Sequence, residues 1–341
     1  MMGERVMRPW IRTGTLTTAM VASWVAGGFA SPLSSRLLPL VPPGAEIVAG
    51  FENHPGPTAR GRLLLTTHNN RLDLDDWQAL TGVDSKRFFD EIVEVAAAPS
   101  GGELSEHMLL VSGRFDRERI VRSLEENGAR AQEFQGQRIH MIDPLSRERG
   151  DLVGVRWLAI LNNSIGILGT QRLVQQALRR YADHAVTDSI LYERLALLQP
   201  DVTSWNVLAP ARNTARQLSF AQPYTAWAQL QEDADVLTVA VRFGKKIRVD
   251  FSIHANDGHG SEFFTRKAAM FTDALGAGPE PEAQRQLQNF SLEPNRVRGS
   301  VEFTSSQFEA WCDRLYTLRA SARSSAAEPK SSPPADLFRQ R

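Results

Sequence analysis

The densest gathering of side chains able to ligate a metal or move a proton is His254-Ala-Asn-Asp257-Gly-His259. Two imidazoles and a carboxylate are donor types that zinc accepts. A metal held there would make the chain an exported, metal-assisted hydrolase with a dispersed site. The same segment contains Asn256-Asp257-Gly258, ordinary turn chemistry between a strand ending at Ile253 and a helix capped by Ser261. The turn accounts for these residues without any ligand. His254, Asp257 and His259 are therefore carried as metal candidates of a competing hypothesis, and no catalytic residue, resident metal or cofactor is assigned.

Other constellations are weaker. His140 and Asp143 are three apart, which in an extended chain puts them on opposite faces. Asp73, Asp75 and Asp76 lack the fuller oxygen cage and bend glycine of a calcium loop. They read as a helix start favoured by the macrodipole. The single cysteine, Cys312, shares a helical face with Phe308, Trp311 and Leu315 and reads as a buried thiol rather than a nucleophile. The sequence contains no Gly-x-Ser-x-Gly, no phosphate-binding Gly-x-x-x-x-Gly-Lys-Ser/Thr, no His-Glu-x-x-His and no Cys-x-x-Cys. A triad or carboxylate pair assembled from distant residues is not excluded by this.

The composition is that of a folded protein, 42% apolar and 23% charged over 341 residues. Formal net charge is zero, so nothing electrostatic argues for a nucleic-acid partner. Arg outnumbers Lys by 34 to 5, but the arginines are spread along the chain and read as base composition rather than a binding cluster. Arg5, Arg8 and Arg12 precede an uncharged run from Thr13 to Ser35 that ends in small residues. That is the form of a cleaved signal peptide over residues 1–30, or of an anchor if residues 13–35 are retained. The expected location is extracytoplasmic, periplasmic or secreted.

The elements that must position any site follow in order. Residues 31–43 form a Ser/Pro linker. A first module over 44–184 opens with a strand at Ala45–Phe51, then a strand at Arg62–Thr67 and a turn or two of helix docked by Trp77 and Leu80. Asp84 reads as the cap of a helix over Ser85–Ala97. A strand follows at His107–Phe115, then a helix capped by Asp116 and closed by Asn127-Gly128. Residues 131–142 alternate around Gly136. Arg156–Leu161 and Ile165–Gly169 make a hairpin turning at Asn162-Asn163-Ser164. An amphipathic helix capped by Thr170 carries Leu173, Val174, Ala177, Leu178 and Tyr181 on one face.

A second module over 185–320 begins with a helix at Ser189–Leu198 and a strand at Val202–Leu208. Short helices follow at Pro210–Leu218 and Pro223–Leu230. The strongest strand signal is Val236–Arg242, turning at Phe243-Gly244-Lys245 into Lys246–Ile253. There Ile247, Val249, Phe251 and Ile253 alternate with Arg248, Asp250 and Ser252, the pattern of a half-solvated sheet. A helix from Ser261 to Leu275 would repeat the hairpin-then-helix order of the first module. A short helix at Gln284–Phe290, a strand at Arg296–Phe303 and a helix at Ser305–Arg319 complete it, and residues 321–341 read as a disordered tail.

Three segments carry a resemblance: Pro42-Pro-Gly-Ala-Glu-Ile-Val-Ala-Gly-Phe51, Leu110-Val-Ser-Gly-Arg-Phe-Asp116 and Ile165-Gly-Ile-Leu-Gly-Thr170. In these the chain resembles a diffuse group of bacterial extracytoplasmic proteins of unknown function, with a signal peptide and repeated α+β modules. The expectation is an α+β protein of two similar modules, mainly antiparallel sheet with helices packed on one face. The functional expectation is a non-catalytic exported binding or scaffold protein that contacts another exported protein or an envelope component. The exported hydrolase and a membrane-anchored accessory subunit are the alternatives.

Overall fold

A computed structural model describes residues 32–52, 74–97, 106–142, 156–199, 202–209, 235–254, 291–293 and 296–310. The expected signal segment, the strand at 62–67, the helices at 210–218, 223–230, 261–275 and 284–290, Cys312 and the tail lie outside these residues.

Two 3-10 turns, Pro32–Ser34 and Leu38–Leu40, lead into β1 (Ile47–Glu52). Next come α1 (Leu74–Thr81), the single turn α2 (Ser85–Phe88), β2 (Phe89–Ala97) and β3 (Glu106–Gly113). α3 (Arg117–Glu126) crosses to a meander of β4 (Arg130–Phe134), β5 (Gln137–Ile142), β6 (Arg156–Asn162) and β7 (Ile165–Gly169). α4 (Gln171–Ala182) and α5 (Ser189–Leu195) return the chain to β8 (Ser204–Leu208). β9 (Val236–Arg242), β10 (Ile247–His254), β11 (Ser291–Glu293) and β12 (Arg296–Phe303) follow. The strands form one sheet in the order β11-β12-β10-β9-β8-β1-β2-β3-β7-β6-β5-β4. Every pairing is antiparallel, so the chain is an α+β protein that is mostly antiparallel sheet with a few helices.

Local chemistry sets most of the boundaries. Oδ1 of Asp116 accepts from the backbone N–H of Arg119 at 3.0 Å, capping α3. Oδ1 of Asp188 accepts from the N–H groups of Ile190 and Leu191, each at 3.1 Å, capping α5. In the β6–β7 turn the side chain of Asn162 accepts from the backbone N–H of Ser164 at 2.7 Å, the Asx geometry that asparagine favours in turns.

The expected helix over Ser85–Ala97 is wrong after its first turn. The carbonyl of Asp84 accepts from the N–H groups of Arg87 and Phe88, so the start signal is real. Residues 89–97 then extend as β2, between β1 and β3. Ile92, Val93 and Val95 are β-branched and suit a strand. Ile92 packs on one sheet face and Val93 and Val95 on the other. A strand buried on both faces loses its alternation, and periodicity alone does not separate it from a buried helix.

The expectation that helices cover one face is also corrected. Met108 and Leu110 of β3 share a core with Leu173, Val174, Ala177 and Leu178 of α4. Leu109 and Val111 share another with Trp77 of α1 and with Ile120 and Leu124 of α3. α3 therefore crosses one face from β3 to β4, and α4 covers the other on the way from β7 to β8. Each Leu, Ile, Val or Met among them that is wholly withdrawn from water contributes about 1.5–3 kcal/mol. Trp77 is 0% exposed, and its indole lies against the open face of Gly166, where an added Cβ would come within 2.6 Å of the ring.

β1 pairs with β2 on one side and β8 on the other, so the sheet runs without interruption past residues 184 and 185, where the two modules were expected to divide. Both expected hairpins, β6–β7 and β9–β10, are present. The helix that would complete the second unit lies outside the described residues.

Candidate functional site

In β10 the odd-numbered residues are apolar. Ile247 and Val249 pack with Val241 and Phe308, the latter on the helical segment 305–310. The even-numbered residues face the opposite way, on the side where Ala240 joins the α4 core. Along that side the surface becomes polar. Thr238 and Ala240 of β9 lie opposite Ser252 and Asp250 of β10, and Arg298 and Ser300 of β12 flank the same two residues. Leu197, Leu198 and Gln199, which follow α5, form the rim of a cleft of about 140 Å³ over this patch.

Asp250 is the pivot of the cleft. Its Oδ2 accepts from Nη2 of Arg242 at 2.6 Å, and its Oδ1 accepts from Nε of Arg248 at 2.8 Å. The Asp250 side chain is 14% exposed, against 22% for Arg242 and 42% for Arg248. These bonds are charge-assisted and hold the carboxylate and both guanidinium groups in fixed positions.

A second chain of contacts runs along the strand pair. The hydroxyls of Thr238 and Ser252 are 2.7 Å apart, and Oγ of Ser252 lies 3.2 Å from Nε2 of His254. Burial lowers the pKa of His254, and the positive charge of Arg298 lowers it further. Nη2 of Arg296 donates to the carbonyl of Leu197 at 3.4 Å and joins β12 to the rim. Its Nε is buried and has no hydrogen-bond partner among the described residues.

The three metal candidates fare differently. His254 ends β10, while Asp257 and His259 lie outside the described residues. Among the described residues no group of three His, Cys, Asp or Glu side chains could hold a metal ion. Of the other residues weighed for chemistry, His140 lies in β5, 1% exposed, with neither ring nitrogen hydrogen-bonded among the described residues. Burial lowers its pKa, and Arg138 adds to the effect. Asp143 lies outside the described residues. Asp75 and Asp76 fall in the first turn of α1, the position expected for them. Trp157 and Trp205, each 5% exposed, are core residues like Trp77.

Two further titratable groups stand out. Burial pushes the pKa of His107, at the start of β3, down to about 4. Glu91 faces Glu52 across the β1–β2 pair. Burial raises its pKa, a hydrogen bond with Ser35 works against that, and Glu52 adds to the rise.

The alternation of β10 marks Arg248, Asp250 and Ser252 only as the solvated side of a strand. Arg242, Arg296 and Arg298 join them only because β9 and β12 flank β10, which strand pattern alone does not state. A same-strand run of Arg, Asp and Ser at every second position was the available signal.

No protein-family model matches the chain, and no curated protein matches it in sequence. A solved structure, crystal form I of TP0453, is distantly similar. Its TM-score is 0.45 and its identity 12%, over 82% of this chain and 96% of that one. Among the described residues no helix is long and apolar enough to cross a membrane.

Proposed function

We propose that the chain is a non-catalytic exported binding protein, and that its ligand occupies the cleft over β9, β10 and β12. Export rests on the signal-like segment at residues 1–30. The observation that carries the binding reading is the cleft's construction. Asp250 fixes two arginines beside paired hydroxyls, at a concave place next to the apolar core that α4 covers. Concavity with a few convergent polar groups is the usual form of a small-ligand site.

The competing reading is a hydrolase, favoured by one contact, Ser252 Oγ to His254 Nε2 at 3.2 Å. It is the weaker reading. Ser252 is 4% exposed and shares its hydroxyl with Thr238, and the described residues give His254 no carboxylate to orient its ring.

Two measurements on the purified full chain separate these readings. The first is hydrolysis of ester, amide and phosphoester substrates, with and without Ser252→Ala and His254→Ala. The second is metal content. Turnover lost in both variants, or stoichiometric metal lost in His254→Ala, overturns the binding reading. Saturable ligand binding without turnover or metal supports it.

A further inference from the structure

Resting on that binding reading, we propose that the cleft over β9, β10 and β12 is an anion site, which takes the carboxylate or phosphate group of a small ligand through Arg248, Arg296 and Arg298.

Charge is the first argument. The cleft is lined by three arginines and one aspartate, Asp250. Both oxygens of that aspartate are engaged by Arg242 and Arg248. Cationic side chains therefore outnumber anionic ones at the cleft, in a chain whose formal net charge is zero. Guanidinium groups offer planar, forked donors that match carboxylate and phosphate oxygens.

Donor placement is the second argument. Nε of Arg296 is buried without a hydrogen bond among the described residues, while its Nη2 reaches the rim carbonyl of Leu197 only at 3.4 Å. A buried, unsatisfied donor is costly, and an acceptor delivered by a ligand removes that cost. The lowered pKa of His254, which owes part of its shift to Arg298, reports the same positive field.

Size is the third argument. A cavity of about 140 Å³ is comparable to one that holds benzene. It admits a phosphate or a short-chain carboxylate, or the anionic head of a longer molecule lying across the open side. Ser300 lines the same space and adds a hydroxyl, while the hydroxyls of Thr238 and Ser252 are engaged with each other.

The test is calorimetric titration of the full chain at fixed ionic strength. Inorganic phosphate, acetate and succinate are the anionic probes, and glycerol and glucose are the neutral ones. Arg296→Gln and Arg298→Gln are compared with Arg138→Gln, which removes an exposed ion pair with Glu125 away from the cleft. Circular dichroism and the unfolding midpoint establish that each variant folds.

The expected result is saturable binding of at least one anion, weakened about tenfold or more by each cleft variant and unchanged by Arg138→Gln. Arg296→Lys should recover less of a carboxylate's affinity than of phosphate's, since lysine keeps the charge but loses the fork. Preference between the phosphate and carboxylate arms then identifies the group. If neutral probes bind and anions do not, the anion assignment fails while the binding reading stands. If anions bind equally well to the cleft variants, the assignment to these arginines fails. If no probe of either kind binds, both fail.

Discussion

Replacing Asp250 with asparagine keeps the shape of the side chain and removes the charge that holds the cleft together. The carboxylate accepts one bond from Arg242 at 2.6 Å and one from Arg248 at 2.8 Å. An amide still accepts from one arginine but turns an N–H group toward the other. One charge-assisted bond, worth about 1.5–3 kcal/mol, is then lost and the other weakened. Arg242 is 22% exposed and is left without its carboxylate, whereas Arg248, at 42%, recovers most of its hydration. The expected cost is about 2–3 kcal/mol. In a chain of this length that corresponds to a fall of about 3–4 °C in the unfolding midpoint. Urea denaturation at pH 7 and 0.15 M salt measures it, with Lys246→Ala as the comparison. Lys246 and Glu302 also meet at 3.0 Å, but with side chains 68% and 48% exposed, and that loss should stay under about 0.5 kcal/mol. A double-mutant cycle of Asp250→Asn with Arg242→Gln should show coupling well above that of the Lys246–Glu302 pair. An Asp250→Asn cost no larger than that of Lys246→Ala would refute the view of Asp250 as the cleft's pivot.

Three other outcomes follow from buried groups. His107 has a pKa near 4, against an ordinary value of 6.5, because burial penalises its charged form. The unfolded chain takes up that proton first, so stability is complete above pH 6.5, falls between pH 6.5 and 4, and loses about 3 kcal/mol in all. His107→Gln should flatten that part of a stability–pH curve. Glu91 shows the opposite sign, since burial raises its pKa. Its charge opposes folding at neutral pH, so Glu91→Gln should raise the unfolding midpoint at pH 7 and not at pH 4. Gly166→Ala places a methyl group 2.6 Å from the Trp77 ring and 3.1 Å from Val111, and should cost about 1–3 kcal/mol, less of it when Trp77 is already alanine.

How far the fold could be read depended on the kind of signal each segment carried. The β9–β10 hairpin was legible because one face of β10 is apolar and the other is not, and β12 was legible for the same reason. The cap at Asp116 was legible because a short acceptor before an apolar stripe is a local device, whereas Thr170 stands at the cap position of α4 without a side-chain bond to its backbone. β2 was not, because burial on both faces erases the period that distinguishes strand from helix. Helices on both faces were missed because the faces of a sheet are assigned by crossover direction, which residues 117–126 and 171–182 do not announce. The cleft was legible only as single residues. Thr238, Asp250 and Arg298 lie on three strands, and their sharing one cleft is a property of strand order.

A last comparison separates a structural role for the Arg242–Asp250–Arg248 triad from a functional one. Ion pairs withdrawn from water offset much of their attraction with desolvation, so apolar residues of similar volume in the same places are often neutral or stabilising by about 1–4 kcal/mol. Removing one partner is different, because it leaves a charge without its counterpart. The triad lies at the edge of an apolar face that includes Trp205 and Ala240, a setting in which aliphatic side chains would pack readily. If the triad served stability alone, a charged arrangement would be a poor choice for this position. The triple replacement Arg242→Met, Asp250→Leu, Arg248→Met should therefore fold with a midpoint equal to or above that of the parent chain, while Asp250→Asn alone falls below it. The same triple variant should bind anions more weakly, because it removes one of the three guanidinium groups that line the cleft while leaving Arg296 and Arg298. A triple variant that unfolds would mean that the triad is needed for the fold, and one that binds anions as the parent does would remove Arg248 from the anion site and leave it to Arg296 and Arg298.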